Sequence, residues 1–126
     1  MRQPDHGDTG ALTLSYVIVF PVVLFAIMLI VQAGLYYMAR NLALAAARQG
    51  ADVAREYNST DGAGAAAALT LIREDGSGML TGERATATRT ATTVTLTVGG
   101  LAWSLLPGLP VTVSETVQEP IERFVP

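Results

Sequence analysis

The chain has 126 residues, enough for one small domain, with no Cys and a single His. Every basic residue is Arg, the formal net charge is −3, half of the residues are hydrophobic and only 15% are charged, a drier balance than ordinary globular chains carry. These totals exclude a disulfide framework, a thiolate or multi-histidine metal centre and a cysteine nucleophile, and they argue against a nucleic-acid binder.

The leader MRQPDHGDTG is mixed in sign, and from Ala11 to Ala39 there is no Asp, Glu, Lys or Arg. A hydrocarbon core about 30 Å thick needs roughly 20 apolar residues in a helix, so the run is long enough to span. A helix satisfies its own backbone groups and crosses lipid without a partner. A buried core helix is the competing reading, and it fails on supply: the remainder of so short a chain could hardly coat this segment on every side. A cleaved secretory signal fits poorly too, since the run exceeds the usual apolar stretch of about 7–15 residues and no compact small-x-small site follows. Pro21 removes one helical hydrogen bond and crowds the preceding turn, which predicts a kink or soft point near Val17–Pro21. Gly34, Tyr36 and Tyr37 close the run before Arg40; an aromatic pair followed by a charge is the order expected where a helix leaves lipid for water.

Residues 40–57, RNLALAAARQGADVAREY, continue as helix, rich in Ala, Leu and Arg. Leu35, Met38, Leu42, Ala45 or Ala46, Val53 and Tyr57 recur at helical spacing and predict one apolar stripe. Asn58 to Gly62 end the helix with turn formers. A short second helix is predicted over 63–75, with Ala66, Leu69 and Ile72 or Arg73 along one side, stopped by Gly76-Ser77-Gly78. The period then changes to two. ATATRTA (85–91) reads as a weak strand. Val94, Leu96 and Val98 alternate with threonines up to Gly99-Gly100, and Val111, Val113 and Val117 alternate with Thr112, Ser114 and Thr116. Trp103 and the turn former Pro107-Gly108 lie between the last two. A small antiparallel sheet of three strands, laid by its valine and leucine face on the long helix and a short second one, makes an α+β layer arrangement. The expected organisation is a leader over 1–10, a transmembrane helix over 11–39, its extramembrane continuation over 40–61, and an α+β cap over 62–126.

No catalytic set stands out. His6 is far in sequence from the strand serines and acids, Asp61-Gly62 lacks further oxygen ligands in register for calcium, and Gly76-Ser77-Gly78 lacks the Lys and spacing of a phosphate loop. Alternation puts Glu115 on the valine face of its strand and Arg89 on the alanine face of the earlier one. Either the two pair across strands, worth about 0.2–1 kcal/mol, or Glu115 is an edge-strand charge that discourages aggregation.

A leader ending in Gly, about twenty apolar residues, a helix continuing outward and a small sheet together resemble the layout of type IV pilins and pseudopilins. More narrowly, TGALTLSYVIVFPVVLFAIMLIVQAGLYYMARNLALAAARQGADVA, with its Phe20-Pro21, its Tyr pair and its Ala-Arg-Gln-Gly-Ala segment, resembles the TadE-like family of tight-adherence, Flp-type pilus assembly. The ending PGLPVTVSETVQEPIERFVP fits that family more loosely. The resemblance implies a non-enzymatic pseudopilin or minor pilin that needs no cofactor, metal, nucleic acid or small-molecule substrate. Its implied partners are the lipid bilayer, other pilins or TadE/TadG-like proteins, a prepilin peptidase and an inner-membrane assembly platform. It implies cleavage after Gly10, before Ala11; the residue-level alternative is that Gly10 is a boundary and nothing is cut. Tyr16 is in place, but Ser15 stands where the pilin pattern has Glu. A serine offers a hydrogen bond without charge and is far less costly to bury than a carboxylate. Arg40, Arg48 and Arg55 follow the span while only Arg2 precedes it, which by itself points the C-terminal part to the cytoplasm. The resemblance requires an extracytoplasmic cap, and it carries the expectation because these arginines belong to a folded helix with Asp52 and Glu56 interspersed. The competing reading is a single-pass anchored binding domain with no pilus role.

Overall fold

The computed structural model describes residues 6–56, 59–76 and 78–122, with side chains described from Leu12 onward except that of Asp61. The elements follow in the order α1 (His6–Arg55), α2 (Asp61–Asp75), β1 (Leu80–Arg89), β2 (Thr93–Ala102) and β3 (Val111–Pro120). This is the α+β arrangement expected from the patterning. The chain divides into two compact units, Met1–Ala33 and Gly34–Pro126, with α1 running through both.

In the first unit α1 is unbroken through Pro21, and the backbone is already helical from His6, within the segment read as a leader. From Leu12 to Val31 its side chains are exposed apart from half-buried Met28, with aliphatic and aromatic residues on every side. That all-round apolarity is the signature of a helix meant for an apolar surround.

The second unit is a three-stranded antiparallel sheet of order β1-β2-β3 with helices on one face. Inward residues line up in rows across it: Ala87, Leu96 and Val117; Ala85, Val98 and Glu115; Leu80, Ala102 and Val111. Leu96, Val94, Val98, Val113 and Ile72 of α2 are its largest fully buried side chains. The outer face is threonine-rich, with Thr97 and Thr116 Oγ 3.0 Å apart across β2 and β3. Antiparallel sheets commonly present one such polar face to water.

The helical face that meets this sheet differs from the predicted stripe. α1 buries Ala39, Ala43, Ala46, Ala47, Gly50, Ala51 and Ala54, whereas Met38 and Ala45 are exposed and Leu35, Leu42 and Val53 only half-buried. Tyr57 lies outside the described residues. The reason is close approach of the two helices: a Cβ on Gly50 would sit 2.6 Å from the Gly64 carbonyl oxygen and 3.1 Å from Ala68 Cβ. A Cβ on Gly64 would in turn sit 2.6 Å from Ala54 Cβ. With no Cβ, glycine lets backbones pass where no other residue fits. α2 accordingly buries Gly64, Ala68 and Ile72, four residues apart, and leaves the expected Ala66 exposed.

Boundaries shift for local reasons. α2 starts at Asp61, before the predicted Ala63, because extended Thr60 caps it and its side chain accepts from the Ala63 N–H at 3.2 Å. β1 reaches back to Leu80 through a bulge between Thr81 and Arg84, where Gly82 has φ +58°. It stops at Arg89, short of Ala91, because Thr90 closes the turn: its Oγ1 accepts from the Thr93 N–H at 3.0 Å and its N–H donates to the Thr93 carbonyl at 2.8 Å. β2 runs past Gly99-Gly100 to Ala102, with Gly100 packed where a Cβ would meet the Thr81 carbonyl at 3.0 Å and the Leu80 side chain. β3 runs past Val117, the last residue of the predicted alternation, to take in Gln118, Glu119 and Pro120.

Candidate membrane-interaction site

The candidate site is the apolar half of α1 together with the residues that follow it. By length and composition this helix can cross a membrane, and none of its most apolar window is buried. A core helix of the same composition would be covered. At Pro21 the ring replaces the N–H that would have bonded the Val17 carbonyl. Thr13, Tyr16, Val17, Phe20 and Pro21 line a shallow, almost wholly apolar groove there. Tyr16 is exposed; Ser15, in the position of the expected carboxylate, is exposed beside it. The backbone at Gly10 and Ala11 is helical, and the Ala11 side chain lies outside what is described.

In the second unit, Tyr36 and Tyr37 are exposed on α1, and Arg40 follows within a turn. Arg40 Nε donates to Glu115 Oε1 on β3 at 2.7 Å. The hydrogen bond and the charge of Glu115 hold the Arg40 guanidinium above its ordinary range, against a smaller opposing effect of burial. Half-buried Glu115 thus has a partner on the helix, and it tethers the start of this helical stretch to the sheet.

The Arg89–Glu115 pair open to the sequence is not the one that forms. β1 and β3 lie on opposite sides of β2, about 10 Å apart at two strand spacings. Alternation rightly put both charges on the inner face, but the spatial order of strands keeps them from meeting. Arg89 instead donates through Nη1 to the main-chain carbonyls of Ala54 at 3.0 Å and Ser59 at 2.6 Å. It thereby satisfies a carbonyl in the last turn of α1, where helical acceptors run out. Arg55, also in that turn, lies 3.1 Å from Asp52, 3.6 Å from Glu119 and 3.7 Å from Glu122, and its carbonyl accepts the Glu122 N–H at 3.1 Å. Sequence reading missed this cluster. Its one visible signal was the density of charge at 52–56 and 119–122.

Among the described residues no group of three or more His, Cys, Asp or Glu is placed to hold a metal ion. What the arrangement offers is a helix long and apolar enough to cross a membrane, followed by a small folded unit.

In comparison with known proteins, the family model for TadE-like proteins matches residues 10–52, all within α1. No curated protein matches the chain, and no solved structure does.

Proposed function

Proceeding from residues 10–52 as a TadE-like segment, we propose that the chain is a membrane-anchored pseudopilin or minor pilin. It serves assembly of a Flp-type, tight-adherence pilus or a related secretion system. The observation that carries this reading is the exposed, predominantly apolar stretch of α1 from Leu12 to Val31, which lies within the matched segment of residues 10–52. Such a helix acts by lying in lipid and packing against other helices. Small polar groups, here Thr13, Ser15 and Gln32, serve as interhelical hydrogen-bonding points.

In this reading the bilayer and other pilins or TadE/TadG-like proteins are the partners, and the folded unit stands outside the cytoplasm. A prepilin peptidase removes residues 1–10 by cutting between Gly10 and Ala11 before an inner-membrane platform takes up the chain. Ser15 brings no carboxylate to a neighbour's new amino terminus, so the subunit serves as a minor or accessory component rather than the repeating core of a filament.

Two measurements test this. N-terminal sequencing of membrane-extracted protein is expected to start at Ala11, and an intact Met1 or Arg2 start would refute the processing step. A phosphatase reporter fused after Pro126 is expected to be active, since that enzyme works only outside the cytoplasm; an inactive fusion of normal abundance would reverse the orientation. Co-purification of pilus components in detergent separates this function from that of a single-pass anchored binding domain.

A further inference from the structure

Within the second unit, α1 and β3 run in the same direction. Arg40 meets Glu115, and fifteen helical residues on, Arg55 meets Glu119 and Glu122. β2 is antiparallel to β3, with Ala102 opposite Val111. The connection between them, Trp103–Pro110, therefore lies at the end of the unit that carries Gly34, Tyr36 and Tyr37. Val111 precedes Glu115 by about 13 Å of strand at ~3.3 Å per residue. Tyr36 precedes Arg40 by only about 6 Å of helix at ~1.5 Å per residue. The loop thus reaches the level of the tyrosine pair.

Its chemistry is unlike that of the opposite end. LAWSLLPGLP (101–110) contains no charged residue. Trp103 and Leu109 are each 55% exposed and Leu101 is 41% exposed. At the far end stand Asp52, Arg55, Glu56, Arg89, Glu119 and Glu122. Part of the loop's backbone is also paired within the loop. The Ser104 hydroxyl donates to the Leu106 carbonyl at 3.1 Å and accepts the Leu106 N–H at 3.2 Å. The Leu109 N–H donates to the Leu106 carbonyl at 3.3 Å. Pro107 and Gly108, the latter at φ +79°, occupy the two central positions of that turn as a type II turn requires. Backbone groups paired among themselves are the condition for entering an apolar phase.

We infer that the Trp103–Pro110 loop, with Leu101 at the end of β2, is a second membrane contact, with Trp103 and Leu109 seated at the boundary between lipid headgroups and acyl chains beside Tyr36 and Tyr37. An indole ring with an apolar body and one N–H donor favours that boundary. The charges at this end of the unit are the Arg40–Glu115 pair, Arg73, Glu74 and Asp75 at the end of α2, where Gly76 packs on Leu42, and Glu83 and Arg84 beside the bulge, with Arg84 opposite Gly99. They offer no net positive charge, so the contact is with the apolar interface and does not require anionic lipid. The inference rests on α1 lying in the bilayer.

Trp103 is the only tryptophan, so it reports on the loop without labelling. The full chain is reconstituted into phosphatidylcholine vesicles brominated either near the glycerol or near the terminal methyl, and flotation is checked first. The expected result is a chain that floats, with blue-shifted Trp103 emission that loses most of its intensity to bromine near the glycerol and little to bromine near the methyl end. Leu109→Glu is expected to float equally while losing most of that quenching. A floating chain whose Trp103 is unquenched by either lipid overturns the inference and leaves the anchor standing; blue-shifted emission in that case assigns the loop to a protein neighbour. Undiminished quenching in Leu109→Glu overturns it as well. A chain that fails to float removes the anchor, and the loop contact with it.

Discussion

Arg89 and Glu115 were the two strand charges that alternation singled out, and they serve different purposes. The Glu115 pair with Arg40 has an exposed guanidinium, and solvent screening leaves pairs of that kind little net worth. Arg89 holds two main-chain carbonyls from a part-buried position, and charged hydrogen bonds of that sort contribute roughly 1.5–3 kcal/mol, or leave a carbonyl unsatisfied when removed. Thermal denaturation in detergent is therefore expected to show Arg89→Gln losing more stability than Glu115→Gln, which is expected to change the midpoint little. Equal losses would show that Arg89 does not hold the end of α1. The inward face of both residues was legible from period-two alternation alone. Their partners were not, because alternation fixes a residue's side of the sheet and carries no information on which strand lies in the middle.

β2 and β3 were legible from alternation, α1 from its long apolar run and the helix formers after it, and β1 only beyond the bulge that breaks its period. The face of α1 was harder to read. A search for large apolar side chains selects Met38 and Leu42, but the real contact is a stripe of alanines around Gly50, because two backbones touch there. Alanine at every third or fourth position reads equally as helix former and as packing surface, and only the second helix decides between them. Gly50 and Gly62 separate these roles. Gly62→Ala meets nothing within 4 Å and is expected to stabilise α2 by up to about 1 kcal/mol through helix propensity. Gly50→Ala gains the same propensity yet drives its Cβ against Gly64 and Ala68, and overpacking of that kind costs about 1–3 kcal/mol. Opposite signs of the change in unfolding midpoint check the assignment. Strand ends were misjudged at Leu80, Ala102 and Pro120 because a bulge, a glycine pair and a proline each look like a stop from sequence, while ladder pairing carries through them.

The two compact units call for different solvents. The second has its own core of Leu96, Val98, Val113, Ile72 and the α1 alanines, with no buried polar or charged residue among those described. A variant beginning at Gly34 is expected to stay in the aqueous fraction without detergent and to keep a mixed helix and strand signature in far-ultraviolet circular dichroism. The full chain is expected to pellet with membranes. Loss of the strand signature in the shortened form would show that the apolar helix is needed for folding as well as for anchorage.

Three strands without closure leave two margins with free main-chain hydrogen-bonding groups, and proteins confined to a bilayer collide far more often than those free in bulk. Sheet margins that invite docking of foreign strands are an aggregation hazard. On one margin the Gly82 bulge throws the ladder out of step and turns Glu83 inward; on the other, Pro110 and Pro120 bracket the strand and have no N–H to donate. Both margins of this sheet are thereby poor templates for strand-to-strand pairing with a second copy.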